Sequence, residues 1–135
     1  MAIKYFHRDR PGLMVPIISR DARLIVWLGE GARTANMNYV VMQPGEENVP
    51  HIHPESEDTI MILEGVGTIK DHDNDVVLEF TAGDVLHVPI GVRHAVRADR
   101  GSTVVSAGGP CPADTTMLRL AGVDVEAILT RLDST

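Results

Sequence analysis

The strongest constraint on this 135-residue chain is a succession of short β-type runs divided at regular intervals by turn residues. The runs cover residues 24–28, 37–43, 59–63, 67–71, 76–80, 84–88, 95–98 and 103–106. Between them stand Gly29 and Gly31, Pro44-Gly45, Glu64-Gly65, an acidic turn over 71–75, Ala82-Gly83, Pro89 with Gly91, and a turn over 99–101. About eight strands at this spacing predict an all-β antiparallel sandwich or small barrel. The 26 Val and Ile residues against 10 Leu lean the same way. Only the C-terminal segment changes period. Val125, Ile128, Leu129 and Leu132 fall at i, i+3, i+4 and i+7 behind Asp124, a capping residue, and predict an amphipathic helix over about 124–132. Residues 1–20 mix charge with Pro11, Gly12 and Pro16 and read as an arm. The expectation is one domain over 1–135, with a barrel core spanning roughly 22–110.

Composition narrows the partners. Nineteen acidic against 12 basic residues give a formal charge of −7, and no basic patch exists to neutralise phosphates. Nucleic acid and anionic membrane surfaces are therefore not expected partners. The first residues carry charge where a secretory signal needs an apolar stretch, and no run approaches the roughly 18 apolar residues of a membrane span. The single Cys111 precludes an internal disulfide. A soluble cytoplasmic protein is expected.

Six histidines are present, two of them in Pro50-His51-Ile52-His53. In extended backbone, residues i and i+2 face one side, so both imidazoles can reach one ion. Glu55, Glu57 and Asp58 follow at once, and His94 comes shortly after the Pro89-Ile90-Gly91 turn. Imidazole with carboxylate suits a divalent transition metal. The order of these residues resembles the cupin family. Its first motif, G-x5-H-x-H-x(3,4)-E-x6-G, reads from Gly45 through His51 and His53 to Gly65. Its second, G-x5-P-x-G-x2-H-x3-N, reads from Gly83 through Pro89, Gly91 and His94, with 17 residues between the two. The resemblance implies a double-stranded β-helix, or jelly-roll barrel, holding one metal through His51, His53, a carboxylate and His94.

Two positions depart from the family pattern. Counting back seven residues from Gly65 puts Asp58, rather than a glutamate, at the carboxylate position, and Glu57 is the alternative after a one-residue shift. Adjacent strand residues face opposite ways, so only one can be the ligand. If the shorter Asp58 does not reach, three histidines hold the metal with water in the open positions. Ala98 stands where the family has Asn, a position of mainly structural weight.

The resemblance implies oxygenase, isomerase, lyase or decarboxylase activity, or a non-catalytic ligand-binding barrel, and the fold alone does not choose among them. The first expectation is an oxygenase of a chelating small molecule, with iron, manganese, zinc, nickel or cobalt as the ion. The parity of Asp58 puts Ile60 and Ile62 on the inner face and makes the pocket largely apolar. Tyr39 and His87 are the candidate catalytic side chains, each with a purely structural alternative. Asp71 to Asp75 mimics the start of a calcium loop but has Val76 and Ala82 where Gly and Glu are needed, so it reads as a hairpin turn with His72 exposed. Cys111 reads as a partly buried small hydrophobe. Small cupins of this kind commonly dimerise by exchanging N-terminal strands, which makes a homodimer the expected assembly.

Overall fold

Strand formation follows the apolar runs because period-2 alternation gives each strand one face to bury. The computed structural model describes residues 2–134. Among them, β1 (Leu13–Met14), β2 (Asp21–Val26), β3 (Met37–Met42), β4 (Glu57–Glu64), β5 (Val66–Asp71), β6 (Val76–Thr81), β7 (Val85–Val88), β8 (His94–Ala98) and β9 (Val104–Cys111) precede α1 (Thr115–Leu120) and α2 (Val125–Asp133). The pairing is antiparallel throughout. One sheet has the order β1-β2-β3-β9-β4-β7 and the other β6-β5-β8. This is the expected jelly-roll sandwich with a C-terminal helix.

Two elements were not foreseen from the sequence. The first is β1, which pairs Leu13 with Leu24 and folds the arm back onto its own β2, so that Val15 and Ser19 are buried. The second is α1, capped by Asp114, whose side chain accepts from the Met117 N–H. β9 also runs to Cys111, five residues beyond its apolar stretch, through Gly108 and Gly109. Both glycines have positive φ, and a Cβ on Gly108 would meet the Thr59 carbonyl at 2.0 Å. Bare backbone is what lets β9 lie so close to β4 there.

The interior divides into two apolar clusters. Met42, Ile62, Ile69, Phe80, Val96 and Val104 form the one between the sheets. Phe80 lies over Gly67, where a Cβ would meet its ring at 2.7 Å. The second cluster gathers Leu24, Trp27 and Leu28 of the β2 end against Leu118 of α1 and Val125 of α2. Ile128, Leu129 and Leu132 add the predicted helix stripe to it, so α2 closes its own barrel. Val40 packs against both clusters. Among the described residues, no helix is long and apolar enough to cross a membrane.

Alternation along β4 generates a sharp contrast. Ile62 is buried, while its neighbour Met61 is half exposed. Ile62→Ala is expected to cost about 2–5 kcal/mol in denaturant unfolding, and Met61→Ala to stay within about 0.5 kcal/mol. Equal losses would show that the inner face of β4 is misassigned.

Candidate metal centre

The segment between β3 and β4 crosses to the other sheet and is stitched to β8 by backbone hydrogen bonds. The Asn48 N–H donates to Val96, and the Val96 N–H returns to the Asn48 side chain at 2.8 Å. One rung on, His51 and His94 exchange both backbone hydrogen bonds at 3.0 Å. The Gly91 N–H then donates to the His53 carbonyl at 3.0 Å. His51 and His53 thus stand on an extended connecting segment rather than in a strand of the sheet. Their same-side parity survives because the bridge to His94 holds that segment straight.

The three imidazoles face one another, with ring centroids 4.4 to 5.4 Å apart. One nitrogen of each lies within 4.8 Å of the other two. Which nitrogens point inward follows from the hydrogen bonds of the others. Nδ1 of His51 lies 2.6 Å from the Val49 carbonyl, and Nδ1 of His94 lies 2.9 Å from the Val92 carbonyl. Nδ1 of His53 lies 2.6 Å from Oδ2 of Asp114. A carbonyl only accepts, so Nδ1 carries the proton in His51 and His94 and leaves Nε2 as the inward lone pair.

Asp58 completes the set from β4. Its Oδ2 is 3.1 Å from Nε2 of His53 and 3.7 Å from Nε2 of His94. The first distance is an ion pair with protonated His53, while His94 Nε2 and Asp58 Oδ1 are buried without a hydrogen-bond partner among the described residues. Orphaned buried groups cost roughly 1–3 kcal/mol each. Metal–ligand bonds of about 2.1 Å place neighbouring donors about 3.0–3.4 Å apart, close to both distances. Three imidazoles and a carboxylate, three of the four nearly inaccessible to solvent, fit a divalent transition ion.

The electrostatics match that use. Burial, and then the neighbouring His94 and His53, push His51 down to about 4 against the pull of the Val49 carbonyl, so it is neutral at pH 7. Burial also opposes charge on His53, but Asp114 and Asp58 outweigh it and hold that imidazolium up to about 9. Burial likewise opposes charge on Asp58, and the two histidines beside it overcome this to keep the carboxyl well below the usual range.

Other residues singled out from the sequence fall elsewhere. Glu57 points away from the barrel and lies 3.2 Å from His87 Nε2, while Thr59 Oγ1 is 3.0 Å from His87 Nδ1. Thr59 pairs with His87, whereas Asp58 pairs with the buried Val88, so parity alone puts His87 on the outer face. Tyr39 is also outward. Its ring stacks under Arg23, 5.3 Å from the guanidinium carbon, while Asn38 and Val40 on either side line the interior. Ile60 and Ile62 line it as expected. His72 is half buried rather than exposed, and Cys111 is exposed, with its thiol donating to the Thr34 carbonyl. Three interior polar residues escaped sequence reasoning. Asp114 follows the strand region and was legible only as a cap before Thr115-Thr116. Asn36 and Asn38 carry an i, i+2 signal that nothing in the sequence distinguishes from a turn.

Around the histidines lies a cavity of about 110 Å³, several times the roughly 10–15 Å³ that one water needs. Its walls are mostly aliphatic, which suits a small organic molecule.

No curated protein matches the chain. Among solved structures, the polyketide cyclase RemF from Streptomyces resistomycificus superposes with a TM-score of 0.68 at 23% identity, over 82% of this chain and 80% of that one. A conserved double-stranded β-helix protein from Klebsiella pneumoniae gives 0.65 at 20% identity, over 84% and 93%. A cupin-like protein from Thermotoga maritima gives 0.62 at 21% identity, over 72% and 70%. At these identities the likeness concerns the fold. The profile of the cupin domain matches residues 38–106, more than half the sequence and all of the histidine cluster, and the chain belongs to the cupin family.

Proposed function

We propose that the protein is a metal-dependent enzyme for a small, largely apolar organic molecule, with one ion held by His51, His53, His94 and Asp58. The observation that carries this reading is the trio of inward imidazole nitrogens, turned by their Nδ1 hydrogen bonds and gathered beside the buried Asp58. Bound there, a divalent ion supplies Lewis acidity and open positions for chelating oxygen atoms. The chain's own residues do the rest. The Val49 and Val92 carbonyls and Asp114 fix the rings, and Ile60 and Ile62 keep water from the reacting atoms. Asp58 Oδ1, without a hydrogen-bond partner among the described residues, accepts a hydrogen bond from a substrate hydroxyl.

Oxygenation of a chelating substrate is the first reading of the reaction. Ring closure of a substrate with several carbonyl groups is the second, favoured by the likeness to a polyketide cyclase. Oxygen uptake that stops under nitrogen supports the first, and turnover indifferent to oxygen the second. Turnover no greater than that of a His51→Ala control would make the protein a binder. Metal analysis of the purified chain tests the common foundation. About one transition ion per chain is expected, lost in His51→Ala and His94→Ala, and a protein that takes none on reconstitution overturns the proposal.

The raised pKa of His53 gives a signed pH dependence. Metal at Nε2 displaces a proton that the metal-free protein holds up to about pH 9. Apparent affinity should therefore rise roughly tenfold per pH unit from about 6.5 to about 9 and then level off. Over the same window the metal-free fold loses the stabilisation its protonated His53 supplies, because that is full below the unfolded value of 6.5 and lost through about 9. Competition titration checks the affinity and thermal melting the stability.

Asp114→Asn keeps the helix cap through its one oxygen and puts an N–H, which cannot accept, opposite His53 Nδ1. Above pH 9, where proton competition has ended, it should lower metal affinity about 10–100-fold with little change in melting temperature.

Assembly belongs to the same reading. Ile3 and Tyr5, 98% and 91% exposed on the arm, favour a homodimer in which the arm lies on a second copy. A monomeric mass by sedimentation would exclude it. A reducing, cytoplasmic setting accords with the lone Cys111.

A further inference from the structure

Two strands along the same sheet from Asp58, two carboxamides enter the same cavity. Asn38 pairs with Gly108 on β9, and Gly108 pairs with Ile60 on β4. Asn36 lies two residues earlier on the same face, at the level of Pro110, which pairs with Asp58. Both asparagines line the cavity, and the Oδ1 atom of each is buried without a partner among the described residues. Neither carboxamide makes a side-chain hydrogen bond among the described residues. A Cβ placed on Gly109 would meet Asn36 Nδ2 at 3.0 Å and Asn38 Cγ at 3.1 Å, so the two amides converge on one bare stretch of backbone. A larger residue at 109 would occupy the space that both amides face.

Two unpaired amides in an otherwise aliphatic wall are costly unless something binds them, since each orphaned group forfeits its hydration. A structural role would show their oxygens bonded to each other or to the backbone, and among the described residues they are bonded to neither. Strands β3 and β4 are separated by β9 alone, and neighbouring strands lie about 4.8 Å apart, which puts the asparagines roughly 10 Å from the carboxylate side of the histidine cluster. That span is the length of a small aromatic or bicyclic molecule. Gly108 is the bare backbone between Asn38 and Ile60, and Pro110 floors the row between Asn36 and Asp58.

We infer that Asn36 and Asn38 form a distal recognition site for a ligand hydroxyl, phenolic or alcoholic, on a molecule whose other end chelates the ion. A carboxamide both donates and accepts, which matches a hydroxyl better than a carboxylate or an amine. This deepens the proposed function by naming the substrate class, and it rests on the metal reading. The substrate is then a short, mostly apolar molecule with chelating oxygen atoms at one end and a hydroxyl at the other.

Matched hydroxamates separate the two claims, because the hydroxamate supplies the chelating end. Protein reconstituted with zinc, which is redox-inert, is titrated calorimetrically with benzohydroxamate and 4-hydroxybenzohydroxamate. Phenylacetohydroxamate and its 4-hydroxy form make a second, longer pair. In at least one pair the hydroxylated compound should bind roughly tenfold tighter. That preference should fall to about one in Asn38→Leu and Asn36→Leu, while the parent compound binds within about threefold of wild type. Retained parent binding shows that the variant is folded and metal-loaded. Equal affinities within both pairs in the wild-type protein overturn the distal site and leave the metal reading standing, whichever variants fold. A preference that persists in both variants overturns it equally. Failure of every hydroxamate to bind the zinc-loaded protein overturns the distal site and the chelating ligand while the ion stands, and failure to load zinc overturns the metal reading and the distal site together.

Discussion

The reciprocal backbone hydrogen bonds between His51 and His94 are the constraint on which the site depends. Two histidines 43 positions apart become neighbours because their peptide groups are paired, and the imidazoles then need only a local rotation to meet. That rotation is also specified. Each of these two rings gives its Nδ1 proton to the carbonyl two residues earlier, Val49 for His51 and Val92 for His94. The same local geometry, used twice, turns both Nε2 atoms inward. His53 lacks such a carbonyl and takes its orientation from Asp114 instead. The placement of one of the three imidazoles therefore depends on α1, which lies beyond the last strand.

The dependence runs in the other direction as well. Asp114 caps α1 through Oδ1 and holds His53 through Oδ2, so the helix and the site share one buried carboxylate. Leu118 of α1 is buried beside Trp27 and Val125, which ties the helix to the N-terminal part of the barrel. Packing at the barrel end and ring orientation at its centre are consequently coupled through Asp114.

How much of this was legible in the sequence depends on the kind of signal. Strand positions were, because alternation is local, and each apolar run became a strand with Asp58, Ile60 and Ile62 on the inner face. The same rule, carried across the β4–β7 register, also puts His87 outside, but that register becomes known only when Thr59 and His87 are seen to pair. Tyr39 failed for a similar reason. Its parity was undetermined until Asn38 and Val40 were found inside and Arg23 stacked over the phenol. α1 is only six residues long, too short for periodicity to separate from a loop, and Asp114 was lost with it. Asn36 and Asn38 carry no periodic apolar signature at all, and only the absence of partners in the folded chain distinguishes them.

A barrel interior with an ionised Asp58 needs a compensating cation, and the chain supplies one before any ion arrives. His53, bracketed by Asp58 and Asp114, stays protonated near neutral pH, while His51 stays neutral through burial and its cationic neighbour. The asymmetry between the histidines has a physical use. If all three were cations the cluster would repel itself, and if none were, Asp58 would be a buried charge without compensation. The proton on His53 therefore compensates the buried charge of Asp58 at neutral pH.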